Sequence, residues 1–571
     1  MKALILFIFS LNALALFSPL SNRANKSALS NKSLKEFNGV FFKIIKTKSQ
    51  SDGWFNKSSD EEVQGVSSNK YYSNFNSDGQ EIIVAVIDSG VDVNHEDLKG
   101  KIWINSKEIP NNRIDDDGNG FVDDVMGWNF IGASEAFSEF TADEKGQLTL
   151  INNLKGQVEN DTLEITRELK RLTDLKKVFL ENNLYFPKEE EAKLQKYSEE
   201  VSAKRTAALD SYNYYKVELD KILKLIEIVK KELRLEEVDL EVLENISYEN
   251  QTEATAKLIE YYEYYDNPLK SLSDVMGHFD AIANYNYNIN YDSRVEIVKD
   301  KTNIYGNNNV IGADAFHGTH VSGIIAATRD NGIGINGVAK NVKIMPIRVV
   351  PNGDERDKDV ANAIIYAVNN GAKVINMSFG KKYSPKSKLV QNAIKYAQEK
   401  EVLLVHAAGN ENENIDIVDN FPTAFYKNYR ASNWIEVGAS NEFLINLFAN
   451  FSNFGSRKVD LFAPGVDIFS TTPNNSYAKA DGTSMAAPVV SGVAAIILSQ
   501  YPKLKANELK DVIVSTGNRY PLIYAYNPNT RESTLFSDLS SSGTIPNVFE
   551  AISFLEKNYV EDDQIYLISD K

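Results

Sequence analysis

No cysteine occurs anywhere in the 571 residues. That excludes disulfides, thiolate metal sites, a cysteine nucleophile and a lipid-modified N-terminal cysteine. Histidine is almost as scarce, with five residues: His95, His278, His317, His320 and His406. Any imidazole chemistry must come from this short set. Positive charge is in deficit, since 62 Lys and Arg stand against 79 Asp and Glu, a net −17. A phosphate-binding surface needs the opposite balance, so nucleic-acid partners are set aside. Long apolar runs are missing too, apart from Ala3 to Phe17. No other segment approaches the roughly 20 apolar residues of a membrane span. What is present is 43% hydrophobic residues with 11% aromatics, enough for a sizeable core without disulfide staples.

Met1-Lys2, the apolar run and the Ser/Asn-rich sequence after it form a signal-peptide pattern over 1–24. Cleavage falls at Ala13-Leu14-Ala15 or nearer Ala24, and an uncleaved anchor is the alternative. The expectation is an exported chain, periplasmic or extracellular. Export without disulfides leaves bound calcium as a natural cross-link.

Residues 25–80 are polar and weakly periodic, a spacer and lead-in. Ile82 to Ile87 is apolar and β-branched and ends at Asp88-Ser89-Gly90. It predicts a strand buried on both faces of a parallel sheet. Over 134–285 Gly and Pro almost vanish, and apolar residues recur three and four apart, as in Leu169 to Leu184 and Tyr215 to Leu235. This predicts amphipathic helices, with Pro187 separating two long ones. No catalytic motif occurs there. After Gly306, predicted strands at Val342 to Ile347, Lys373 to Asn376, Val402 to His406 and Trp434 to Val437 alternate with predicted helices. Strand–helix alternation predicts an α/β fold with a doubly wound parallel sheet. Its two parts, 81–133 and 286–571, are expected to form one catalytic domain interrupted by the helical insertion.

Four stretches carry chemistry. Asp88 closes a buried strand, where α/β sheets place their active crevice. His317 opens His317-Gly318-Thr319-His320, ahead of a small-residue helix, with His320 as the rival base one turn on. Ser484 lies in Gly482-Thr483-Ser484-Met485-Ala486-Ala487-Pro488 at a predicted helix start, where unpaired N–H groups suit a developing oxyanion. Asn410 follows a strand through Ala407-Ala408-Gly409 and offers a side-chain amide donor. Taken singly, each also fits an ordinary cap or turn.

Together these four stretches resemble the subtilisin-like serine peptidases (subtilases), in the order Asp, His, Ser. The resemblance implies a serine endopeptidase acting on protein or peptide substrates. Ser484 would be the nucleophile, His317 the general base and Asp88 the group that orients it. Asn410 and the Ser484 N–H would form the oxyanion hole. Ser378, Phe379, Gly380 and Gly409 would bind the substrate, with Arg348 to Gly353 on its other side. Two features depart from the family pattern. Asp88 and His317 are roughly 230 residues apart, and no more than about 60 residues are left for a compact pro-domain before the first strand.

Asp115 to Asp124 is a separate signal. Asp115, Asp117 and Asn119 take positions 1, 3 and 5 of a calcium loop, with Gly120 at the turn, the Phe121 carbonyl at 7 and Asp123 at 9. Met126 stands where an EF-hand has Glu. By the family resemblance Asp97 would be a ligand of a second calcium site, with Asp330 or Asn331.

Overall fold

The computed structural model describes residues 53–132, 137–154, 158–238, 242, 243, 246, 252–265, 267–294, 305–427, 429–527 and 532–559. The signal-peptide pattern lies outside them. The chain divides into two compact units. One contains Asn160–Ser293, and the other contains Asn25–Glu159 and Arg294–Lys571.

The larger unit is built on a seven-stranded sheet. Its strands are β1 (Ile82–Asp88), β2 (Trp128–Asn129), β3 (Val342–Arg348), β4 (Val374–Met377), β5 (Leu403–Ala407), β6 (Trp434–Ser440) and β7 (Leu461–Pro464). They lie in the order β7-β6-β5-β4-β1-β3-β2, all parallel. Strand residues alternate between two cores. Val84 and Val86 join one, while Ala85 and Ile87 join the other. This is why β1 reads as a continuous apolar run. After β3 the chain crosses β1 to continue at β4, so the order reverses around β1. A crevice is expected beyond the carboxyl ends of the strands at such a switch, and Asp88 is the last residue of β1.

Helices cover both faces. One core is shared by α1 (Phe316–Ala326) and α2 (Thr483–Gln500); the other takes α3 (Asp357–Asn369) and α4 (Ser387–Glu399). Helix α2 is long and apolar enough to cross a membrane by composition alone, but every residue from Thr483 to Ser499 is buried in the core. Small residues let α1 and α2 sit close to their neighbours. A Cβ on Gly318 would lie 2.1 Å from the Gly90 carbonyl oxygen, and one on Gly323 would lie 2.2 Å from Thr471 Oγ1.

Two stretches differ from the sequence reading. The described part of the lead-in is no spacer. Phe55, Val66 and Tyr71 are buried in the same core as α1 and α2, and Trp54 Nε1 donates to the Val466 carbonyl at 3.0 Å. The Ser/Asn-rich composition hid a few anchoring aromatics. The larger unit also extends to Glu159 and keeps an antiparallel hairpin, Glu139–Ala142 with Leu148–Ile151, inside the span expected to be helical.

The smaller unit is helical. Its helices are Glu164–Glu181, Lys188–Leu233, Glu253–Tyr264 and Pro268–Ala281, with a π-helical turn over Ile282–Asn286. Pro187 caps the second, in the gap where the sequence places a break. Ile222, Val229, Leu243, Leu258 and Leu272 form its own buried core.

Candidate active site

Asp88 ends β1 with its side chain buried, 3% exposed, and both carboxylate oxygens face one imidazole nitrogen. His317 Nδ1 lies 2.8 Å from Asp88 Oδ1 and 3.0 Å from Oδ2. Since the carboxylate accepts, Nδ1 carries the proton, and in the neutral ring the lone pair is on Nε2. The Ser89 N–H also donates to Asp88 Oδ1, at 2.7 Å. Burial pulls the His317 pKa down, but the charge and hydrogen bond of Asp88, helped by Asp314, outweigh it and raise the pKa above the ordinary value.

His320, the rival base, is fully buried. Its Nε2 lies 3.0 Å from the Ala478 carbonyl, and burial pushes its pKa down to about 3. A carbonyl can only accept, so Nε2–H is committed to it. His95 lies 3.1 Å from the Ser476 carbonyl, and His406 bridges Glu436 and the Phe379 carbonyl. These are structural histidines.

Ser484 is the second residue of α2, where amide groups lack intrahelical acceptors. Its hydroxyl donates to the Ser378 carbonyl at 3.1 Å, and Ser378 Oγ donates back to the Ser484 carbonyl at 2.9 Å. Pro488 explains the second bond. It lies in the second turn of α2, and without an N–H it cannot bond the carbonyl four residues back. That carbonyl belongs to Ser484, and Ser378 takes it up. Proline and serine together pin the helix start to the end of β4.

Asn410 Oδ1 accepts from Thr483 N at 2.9 Å and Thr483 Oγ1 at 3.0 Å, which fixes the orientation of the amide. Gly482, at φ 153, adopts a conformation that suits glycine. A Cβ there would be 3.5 Å from Ser484 N and 3.6 Å from Asn410 Nδ2. Two N–H donors therefore border the same small space beside the serine. Gly409 N donates to Thr483 Oγ1 at 3.1 Å, so the Asn410 turn and the serine turn are stitched together. Phe379 is buried, and Gly380 leaves room only for its neighbour, since a Cβ would lie 2.7 Å from Asn420 Oδ1. The opposite segment is partly engaged, because the Asn352 N–H donates to the Glu159 carbonyl at 2.6 Å.

The acidic loop divides differently from the sequence reading. Oxygens of Asp115, Asp117 and the buried Glu108 all lie within 4.8 Å of one another. Glu108 was missed because it precedes the loop with no diagnostic spacing; its carboxylate accepts from the N–H groups of Asp116, Asp117 and Asp123. Asp123 is buried, and its Oδ1 has no hydrogen-bond partner. Asn119 Oδ1 accepts from Phe121 N at 2.7 Å, and Phe121 packs its ring on Trp128 and Tyr366. Asp97 is not part of this group. It accepts from Asn331 Nδ2 at 2.7 Å and Ile335 N at 3.1 Å, and burial raises its pKa to about 6.

Comparisons with known proteins show the family of the chain. A family model described as the subtilase family matches residues 79–538. The chain is 40% identical over 222 residues to a thermophilic serine proteinase of Bacillus sp. (strain AK1), covering 38% of this chain and 52% of that one. It is 39% identical over 204 residues to thermitase of Thermoactinomyces vulgaris, covering 36% and 67%. It is 37% identical over 203 residues to subtilisin DY of Bacillus licheniformis, covering 35% and 70%.

Proposed function

The chain belongs to the subtilase family, and on that premise we propose that it is a serine endopeptidase with Asp88, His317 and Ser484 as its triad. The observation that carries this reading is the two-oxygen contact of Asp88 with His317 Nδ1, at 2.8 and 3.0 Å. It directs the Nε2 lone pair to the reaction. The Ser484 hydroxyl exchanges its hydrogen bond to Ser378 for one to Nε2, loses its proton there and attacks the peptide carbonyl. The Ser484 N–H and Asn410 Nδ2 stabilise the oxyanion. His317 then returns the proton to the leaving amine, and water hydrolyses the acyl-enzyme. Main-chain pairing along Ser378 to Gly380 holds an extended substrate largely independently of its side chains.

A fluorophosphonate probe is expected to label the wild-type chain on Ser484, and Ser484→Ala is expected to fold normally, escape labelling and lose peptide hydrolysis. A wild-type chain that neither labels nor hydrolyses peptides would overturn the reading.

The donor set of the acidic loop fits a hard cation. It is all oxygen, and the orphaned Asp123 Oδ1 supplies a buried acceptor that needs a partner. Glu108, Asp115, Asp117 and Asp123 would hold calcium, whose role would be to stabilise the loop. The N-terminal pattern supports export, to the periplasm or the outside.

A further inference from the structure

Glu159 is the last residue of the larger unit before the chain enters the helical unit at Asn160. No motif marks it, yet it is tied to three places around the Asp88–His317 pair. Its Oε2 accepts from Arg348 Nη2 at 2.6 Å, its Oε1 from Ala313 N at 3.3 Å, and its carbonyl from Asn352 N at 2.6 Å.

Arg348 closes β3 and stands in register with Asp88. Its side chain is 2% exposed, so it does not line a substrate path as the sequence reading had expected. Instead Nε donates to the Ser89 carbonyl at 2.6 Å, and the guanidinium lies over Gly312, where a Cβ would come within 2.4 Å of it. Ser89 Oγ donates in turn to the Asp314 carbonyl at 3.1 Å, three residues before His317. The Asp88 carbonyl accepts from Val349 N at 2.9 Å and Val350 N at 3.2 Å. The guanidinium therefore braces the turn after Asp88 against the segment that leads into His317. A buried guanidinium is retained only with good partners. Its planar fork can serve two of them at once, which an ammonium cannot match.

We propose that Arg348 and Glu159 are positioning residues for the hydrolysis at Ser484, holding the Asp88–Ser89 turn and the Ala313–His317 segment in fixed register. Neither touches the reacting atoms. The root of the helical unit is thereby built into the support of the triad.

The test uses the full chain and a small chromogenic peptide. Glu159→Gln is expected to lower kcat about tenfold while KM stays within about twofold, the signature of a contact that acts only on the transition state. Arg348→Lys, which keeps the charge and loses the fork, should show the same split. The double variant should fall no more than about twofold below the weaker single, because both residues serve one brace. Glu159→Gln with wild-type kcat, or single losses that multiply in the double variant, would overturn the proposal. Should Arg348→Lys fail to fold, Glu159→Gln, at a side chain 30% exposed, decides alone. The proposal rests on the hydrolytic reading, and the two fail separately. An active wild type with an inert Ser484→Ala and a normal Glu159→Gln sinks only the positioning role.

Discussion

A histidine serves as a base only while it holds a lone pair within reach of the acid, and the two histidines of the His317–His320 run differ in this. His320 gives its Nε2–H to the Ala478 carbonyl in the core. His317 gives its Nδ1–H to Asp88, which in the proposed reading leaves the Nε2 lone pair to act as the base. His317→Ala is expected to lose activity by several orders of magnitude, since triad members act as a unit. His320→Ala should keep kcat within about tenfold but cost about 1–3 kcal/mol of stability, because the Ala478 carbonyl is left buried and unsatisfied. Kinetics and melting curves on both variants check this. The pH profile follows from the same pair. Asp88 and Asp314 raise the His317 pKa against the effect of burial, and only the neutral ring accepts a proton. Activity should therefore fall, with decreasing pH, around a midpoint above the roughly 6.5 of an unperturbed histidine. An acid limb centred below about 6 would contradict the assignment. Asp88, His317 and Ser484 could be picked out as candidates from sequence because each sits in a local run of small residues that suits a close turn. Glu108, Glu159 and the proposed brace at Arg348 could not, because their contacts are with partners distant along the chain.

At the scale of elements, the close approach of α1 to the end of β1 sets the position of the proposed base, His317. A Cβ on Gly318 would lie 2.1 Å from the Gly90 carbonyl oxygen and 3.2 Å from Asp88 Cβ, at the end of β1 and in the turn after it. Gly318→Ala is expected to push the helix away, costing about 1–3 kcal/mol by overpacking and lowering kcat more than KM. Thermal melts and peptide kinetics on this variant check both effects. The acidic loop makes a second prediction. Calcium that binds only the folded chain stabilises it by about 2.7 kcal/mol at a hundredfold excess over Kd. Melting should therefore shift upward with calcium and downward with chelator, and Glu108→Gln should shrink that difference. Equal midpoints in all conditions would remove calcium from the account. The main strands and helices could be read from sequence because long β-branched or amphipathic runs signal themselves. Short strands such as Trp128–Asn129 and the Glu139–Ala142 hairpin strand are set by tertiary contacts and left no periodic trace.

For the molecule as a whole, the question is what the helical unit adds. It has its own buried core in Ile222, Val229, Leu243, Leu258 and Leu272. It supplies none of the proposed triad or oxyanion-hole residues. The residues at its two roots are another matter. Glu159 holds Arg348 on one side, and on the other Arg294 donates to Asp359 and to the Phe130 carbonyl, with Tyr305 bonded to the same carboxylate. Both roots are thus fixed by ion pairs inside the larger unit. A shortened chain must retain them to be a fair test. Replacing Asn160–Ser293 by a Gly/Ser linker between Glu159 and Arg294 is expected to leave hydrolysis of a small chromogenic peptide within about tenfold of wild type, or roughly 1.4 kcal/mol in the barrier. Cleavage of folded proteins should change more, because a large substrate samples surfaces that a short peptide never reaches. The same linker placed so as to remove Glu159 should lose more activity than the one that keeps it. If the chain retaining both roots folds but is inert towards the small peptide, the helical unit belongs to the catalytic apparatus itself.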